Sequence, residues 1–372
     1  MTFPRYTPIV KAKLNDLKAV QRLADDILAI AKPMIEVLPP PKGAGNVDDV
    51  LRKLCEQAEK YLGGMEIFVD FYWFDNTSLD GLAENGAIAG FRRLAKKGIF
   101  VTPTYAVDRD PSLWKKFGAV IKLHNRGFCF RVDIDDLDDQ AAATWNEIKS
   151  RCLQVGVPFE SVDLLIDMRD VRAIEQEDAI NTLLDFLGSE PELEKLRSII
   201  IAGSSALKDV SSVPKNDVLA VPRRELSIWS RLIFERPGLK LLSFGDYGVI
   251  HPDFSPRGPS KHMNGKIRYT TGTDTRYCRG NSLREGAKFA QYFALAQQVT
   301  SEPGYCGPAY SFGDQYVHDC ANSKVGPGNL GSWVLADMNH HMTYVSRQVQ
   351  TLSNSIAKLT TLEELEEVLE SL

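Results

Sequence analysis

From residue 6 to about residue 250, a short apolar run and an amphipathic run take turns, and the pair recurs eight times. No other feature of the chain limits its fold as tightly. The apolar runs are YTPIVKAK, KPMIEVL, MEIFVDFYWF, IFVTPTYAV, GFCFRVDID, VDLLIDMRDV, SIIIAGSSA and LKLLSFGDYG. Between them lie LNDLKAVQRLADDILAI, with apolar positions 14, 17, 20, 23 and 27, then VDDVLRKLCEQAEKYL, GAIAGFRRLAKKG, PSLWKKFGAVIKLHN, QAAATWNEIKSRCLQVG, EDAINTLLDFLGSEPELEKLRS and PRRELSIWSRLIFERPG. β-branched and aromatic strand cores joined through helical periods by short connections predict a parallel sheet with helices outside it. Eight units are the number that closes a TIM-like (β/α)8 barrel. An open doubly wound sheet is the rival, and it lacks a GxGxxG after the first strand.

After residue 250 the rhythm stops. HPDFSPRGPSKHMNGKIRYTTGTDTRYCRGN and SEPGYCGPAYSFGDQYVHDCANSKVGPGNLGS are rich in Gly, Pro and polar residues and read as irregular. SLREGAKFAQYFALAQQV and WVLADMNHHMTYVSRQVQTL have helical periods, and TTLEELEEVLESL is a short acidic amphipathic helix. We therefore expect a barrel over residues 1–250. Residues 251–372 form a C-terminal extension packed on one of its faces, not an independent domain, because they hold few apolar residues for a core.

In a barrel strand, alternate side chains face the interior. Turning the apolar set toward the helices turns the charged set inward: Lys11 and Lys13, Glu36, Asp70, Arg131, Asp133 and Asp135, Asp167 and Arg169. Thr102 and Thr104 follow the same parity. All these charges lie toward the C-terminal ends of their strands, the rim where barrel enzymes carry their sites. A buried unpaired charge costs several kcal/mol, so the set is paired, liganded or open to water. Two readings stand side by side. In one, the charges neutralise each other as a plug. In the other they form a mouth: Glu36, Asp70, Asp133 and Asp167 hold Mg2+ or Mn2+, Asp70, Asp133 and Asp167 act as base, and Lys11, Lys13, Arg131 and Arg169 bind phosphate. Lys266 and Arg268, at alternate positions of KIRYTT, with Arg276 and Arg279, are candidates to clamp a polyanion. Lys11 and Lys13 also permit a Schiff base. The Asp residues of Gly245-Asp246 and Gly313-Asp314 are turn chemistry first and site candidates second.

GxSxG, Walker A and HExxH motifs are absent, and His251, His262 and His318 lack metal-type spacing, which speaks against zinc. The side-by-side His340 and His341 stand about 100° apart on a helix, so they cannot chelate together. A structural histidine is the first expectation there. If the helix crosses the mouth, His341 with Asn339 completes the pocket as acid or base.

Net charge is −5, charged residues are 25% of the chain, and no apolar window is long enough for a membrane span, so nothing global asks for nucleic acid or lipid. The six cysteines are scattered, and the N-terminus lacks a signal-peptide core. A cytoplasmic protein is the expectation.

The segments YTPIVKAKLNDLKAV…KPMIEVLPP, FVD and SFGD…GSW…NHHMTYVSRQ resemble the "beta family protein" group of bacterial and phage genomes, over nearly the whole chain. The resemblance implies a phage- or defence-related setting and supplies no catalytic residue. Two functions follow from the residues and this setting. One is a metal-dependent hydrolase of a phosphate-containing substrate, a nucleotide or nucleic-acid end. The other is a non-catalytic barrel that binds an anionic small molecule, a nucleic acid or a protein partner in phage–host conflict.

Overall fold

Each of the eight apolar runs contains a parallel strand, and the strands close on themselves. The computed structural model describes residues 6–40, 46–74, 85–106, 111–137, 141–239, 242–253 and 263–372. Its strands are β1 (Tyr6–Lys11), β2 (Met34–Glu36), β3 (Phe68–Asp70), β4 (Thr102–Ala106), β5 (Phe128–Asp133), β6 (Val162–Asp170), β7 (Ser198–Ser204), β8 (Asp217–Pro222), β9 (Leu242–Asp246), β10 (Asn264–Thr271) and β11 (Asp274–Ser282). The barrel order is β1-β2-β3-β4-β5-β6-β7-β9, and β9 returns to β1 with Tyr6 opposite Phe244. Closure rules out the open doubly wound sheet and gives a (β/α)8 barrel of the TIM type. Lys240 and Leu241, which the sequence places in the eighth run, and His262 lie outside the described residues.

The expected alternation holds. Val10, Ile35, Val69, Phe130, Val132 and Ile166 join the large apolar layer between strands and helices. Ile9, Met34, Phe68, Cys129, Leu165, Ile200, Ala202 and Tyr247 fill the barrel interior. The helices Val47–Tyr61, Gly86–Lys96, Trp114–His124, Ala141–Val155, Gln176–Gly188 and Arg224–Glu235 follow their strands as predicted. The predicted first helix is instead two pieces, Leu14–Gln21 and Asp25–Leu28.

The ring of helices is completed from far along the chain. The helix Leu330–Ile356 packs between Leu14–Gln21 and Arg224–Glu235 and against β1, the place of an eighth barrel helix. It gives Met338, Met342, Val345, Val349, Leu352 and Ile356 to the barrel's outer apolar layer. A capping box at Asn329 and Ser332 starts it. Residue 250 thus separates the eight barrel strands from their eighth helix.

The stretch before that helix is more regular than its Gly and Pro content predicts. KIRYTT and TRYCRG form a hairpin, β10–β11, with Thr271 opposite Asp274 and Gly272 at φ +53° in the two-residue turn. Against β11 pairs β8, a strand that interrupts the barrel between β7 and β9 and has no counterpart in the predicted eight. SFGDQYVHDCA, read as irregular, is the helix Phe312–Ala321. SLREGAKFA, read as helical, is not α-helical, and the helix starts at Gln291. These elements enclose a second apolar cluster, with Ile267, Tyr292, Leu295, Val299, Val317 and Trp333 at its centre. Among the described residues no helix is long and apolar enough to cross a membrane.

Candidate functional site

Parallel pairing puts Lys11, Glu36 and Asp70 directly beside one another, since Lys11 is opposite Glu36 and Glu36 opposite Asp70. Asp133 pairs with Asp167 in the same way across β5 and β6. Their inward parity brings these charges, with Arg131, to one level above the apolar interior. All but Asp133 are buried.

Arg131 stands at the centre. Its guanidinium donates to Glu36 Oε1 at 2.7 Å, to Asp70 Oδ2 at 2.6 Å, to Asp167 Oδ2 at 3.1 Å through Nε, and to the Tyr247 hydroxyl at 2.6 Å. Tyr247 in turn donates to Asp167. Lys11 pairs with Glu36 and donates to the Pro252 carbonyl at 2.9 Å. Burial by itself would raise the Glu36 carboxyl, but Arg131 and Lys11 outweigh it and hold Glu36 down to about 2. Burial lowers Lys11, against the pull of Glu36. The inner charges are therefore one ion-paired and hydrogen-bonded network of two cations and three carboxylates, as buried polar groups require. The Arg131 guanidinium fills the space between Glu36, Asp70 and Asp167 where the sequence reading seats Mg2+ or Mn2+. Among the described residues no three of His, Cys, Asp and Glu are grouped to hold a metal ion.

Above this network the mouth is different. β6 breaks register between Asp167 and Asp170, and Arg169 there adopts φ +51°, a left-handed backbone unusual for a side chain this large. Asp167 Oδ1 accepts the Arg169 N–H at 2.9 Å and holds the conformation. The Arg169 guanidinium lies 5.6 Å from the Tyr72 ring and 5.9 Å from Trp73, and donates to Asp253 at 3.2 Å. The Arg131 guanidinium also lies against Tyr72, 4.9 Å from the ring centre. Asp133, half-buried, is pushed up by burial and then by the charge of Asp167. Tyr72, Arg131, Asp133, Asp167 and Arg169 line a cavity of about 30 Å3, with Ala106 and Asp136. That is room for a water molecule or the tip of a ligand.

Other predicted residues lie elsewhere. β1 ends at Lys11, so Lys13 leaves the alternation and is exposed ahead of the helix Leu14–Gln21. Asp135 is exposed in the turn after β5, where its N–H donates to Asp133. Arg268 is buried and committed to Asp337 at 2.8 Å and the Val249 carbonyl at 3.0 Å. Lys266, on the same strand, lines a different cavity. Arg276 pairs with Glu302 at 2.8 Å. The mouth also uses residues that sequence reasoning passed over. Tyr247 follows β9 and has inward parity, which was the available signal. Tyr72 shares the inward parity of Asp70 two residues before it, and Trp73 and Asp253 carried no signal.

His341 is not brought to the mouth. The helix that carries it runs along the barrel's flank, and the two histidines reach different aspartates while both touch Thr270. His341 Nε2 meets Asp246 of β9 at 2.9 Å and Nδ1 meets Thr270 Oγ1 at 2.6 Å. His340 Nδ1 meets Asp314 at 2.9 Å, Nε2 donates to the Thr270 carbonyl at 2.8 Å, and the ring stacks on Tyr269 at 3.8 Å. Asn339 ties the Gly313 N–H to the Ala19 carbonyl. The expectation of Asn339 and His341 as pocket groups is thus corrected: the pair links the barrel to the extension. A signal was present in the sequence, because both partner aspartates end the same tetrapeptide, SFGD, at 243–246 and 311–314.

The Beta protein family model matches residues 6–347. No curated protein matches the chain. Among solved structures the chain is similar to 3-dehydroquinate dehydratase from Enterococcus faecalis, at 14% identity and TM-score 0.35 over 66% of this chain and 89% of that one. It is similar to the YdjI aldolase from Escherichia coli K12, at 9% identity and TM-score 0.35 over 96% and 94%. It is also similar to triosephosphate isomerase from Bartonella henselae, at 12% identity and TM-score 0.30 over 65% and 91%.

Proposed function

The chain belongs to the Beta protein family, and we propose that its barrel mouth binds the phosphate of a small ligand on Arg169, beside Asp133 as the proton-exchanging group. One observation carries this reading: Arg169 is held in a left-handed backbone at a strand end, with its half-buried guanidinium beside the cavity. Such a conformation costs on the order of 1 kcal/mol or more, and conformations of this kind cluster at working sites. A guanidinium over two aromatic rings is a suitable anchor for phosphate. A carboxyl raised by burial and a neighbouring carboxylate is a candidate acid or base for hydrolysis. The family likeness to phage and bacterial proteins favours a nucleotide or a nucleic-acid end as the phosphate bearer. No step runs through a metal, because Arg131 fills the centre of the carboxylate set.

A second reading, binding without turnover, is favoured by the mutual pairing of the inner charges and by the small cavity. One experiment separates the two. Thermal unfolding of the purified protein is followed with inorganic phosphate, AMP and a 5′-phosphorylated dinucleotide, with EDTA present, alongside an assay for phosphate release. The proposal expects a rise in Tm of a few degrees at saturating ligand, lost in Arg169→Ala. It expects turnover reduced roughly 100-fold or more in Asp133→Asn. Stabilisation without turnover favours the binding protein. No response to any of the three probes overturns both.

A further inference from the structure

Antiparallel pairing of β10 and β11 sets Lys266 directly opposite Arg279. Two like charges at a cross-strand position repel each other, and a fold tolerates that where an anion lies between them. Here no protein anion does so fully. The Lys266 ammonium has no hydrogen-bond or ion-pair partner among the described residues. Arg279 spends one nitrogen on the backbone carbonyls of Ser211 and Val213, while its Nε is buried with no hydrogen-bond partner. Both side chains line a cavity of about 500 Å3, within the size range of small-ligand sites. The carboxylate on its wall, Asp209, feels the charges of Lys266 and Arg279 but gives its hydrogen bond to its own loop, accepting the Ser211 N–H at 2.7 Å. Burial and then the charge of Arg268 lower Lys266 to about 8, the response of an ammonium short of a counter-charge. The other walls include Val210, Met263 and Leu330, which are apolar.

We infer that this cavity, on the extension and independent of the barrel mouth, is a binding site for a small carboxylate with an apolar body. The carboxylate lies between Lys266 and Arg279, and the apolar body lies against Val210, Met263 and Leu330. Two cations and one carboxylate leave a single positive charge on the wall, which suits a monoanion. Donors in charge-assisted hydrogen bonds contribute about 1.5–3 kcal/mol each, so losing one changes affinity by roughly 10- to 100-fold.

The test is calorimetric titration of the full chain with hexanoate, acetate and inorganic phosphate. The wild type is compared with Lys266→Gln, Lys266→Arg and Arg169→Ala, each first shown to unfold at the wild-type temperature. The expected result is saturable hexanoate binding, weakened roughly 10- to 100-fold in Lys266→Gln, largely restored in Lys266→Arg and unchanged in Arg169→Ala. Acetate, lacking the apolar body, binds at least tenfold more weakly. Absence of saturable hexanoate binding overturns the inference, as does hexanoate binding indifferent to Lys266→Gln. Phosphate binding that is lost in Lys266→Gln while hexanoate fails to bind also overturns it, since the site would then be a phosphate site. A wild-type unfolding temperature in Lys266→Gln keeps these outcomes readable. If that variant unfolds early, Lys266→Met and Arg279→Gln serve in its place, with the same expectations.

Discussion

Arg131 is the residue on which the barrel interior turns, because one guanidinium answers Glu36, Asp70 and Asp167 together. Replacing it with methionine keeps much of the volume and removes the cation that three buried carboxylates share, of which Glu36 keeps Lys11. Removing one partner of a buried ion pair costs about 3–5 kcal/mol, and Arg131→Met is expected to lose at least that in urea unfolding at pH 7. A loss under 1 kcal/mol would mean that the network adds nothing net. Glu225 gives a prediction of opposite character. It is buried, it accepts from the Ser205 hydroxyl, and burial raises its carboxyl to about 7 despite that bond and the nearby Arg223. A raised carboxyl stabilises the fold fully below its ordinary value of 4.5, and that stabilisation is lost as pH rises through 7. The wild type should lose roughly 3 kcal/mol through this group between pH 4 and pH 8, and Glu225→Gln should lack that slope. Identical slopes in urea unfolding across that range would refute the assignment. At this scale the sequence was legible in direction only. Strand parity turned Lys11, Glu36, Asp70, Arg131 and Asp167 inward, but their pairing depends on strand register between segments up to about a hundred residues apart. The choice between a plug and a metal cage was therefore hidden.

The helix Leu330–Ile356 shows the same limit one level up. Its apolar period was plain, and so was the 100° between neighbours that sets His340 and His341 on different partners. The same angle lets the two histidines serve two faces, one toward Asp246 on the barrel and one toward Asp314 on the extension. Double-mutant cycles should show this separation. The pairs His341–Asp246 and His340–Asp314 are each expected to couple by about 1–3 kcal/mol, and the crossed pairs His341–Asp314 and His340–Asp246 by less than about 0.5 kcal/mol. Strong crossed coupling would mean one shared network through Thr270, which touches both rings. The second SFGD also explains its glycine. A Cβ on Gly313 would sit 2.2 Å from the Ala336 carbonyl oxygen and 2.9 Å from the His340 nitrogen, both backbone atoms that cannot move aside. Gly313→Ala should cost about 1–3 kcal/mol in thermal or urea unfolding, and a neutral result would refute the close packing of the two helices.

At the scale of the molecule, eight apolar strand runs, each but the last followed by a helical run, were enough to expect a closed barrel. The insertion resisted reading for a physical reason. Its strands β8, β10 and β11 form a small antiparallel sheet that covers its core from one side, and their polar faces look like loop in a one-dimensional pattern. The placement of the last barrel helix resisted it too, since nothing local says that residues 330–356 pack back on β1 and β9. This placement makes a prediction about where the chain can be cut. Residues 1–250 contain all eight barrel strands, yet without the long helix they lack six buried apolar side chains of the outer layer: Met338, Met342, Val345, Val349, Leu352 and Ile356. At about 1.5–3 kcal/mol each, their burial contributes on the order of 10 kcal/mol, comparable with the whole stability of an ordinary domain. The fragment also loses the histidine that engages Asp246, which leaves that buried carboxylate with only the Tyr6 hydroxyl and the Gly248 N–H. A chain ending at residue 250 is therefore expected to show no cooperative thermal transition and to bind a hydrophobic dye strongly. Adding residues 330–356 as a separate peptide should not restore it fully, because the insertion that aligns the helix through Asp314 is missing. A fragment that melts cooperatively near the full-length temperature would show that the strands and seven helices suffice, and that the long helix is an ornament on a finished barrel.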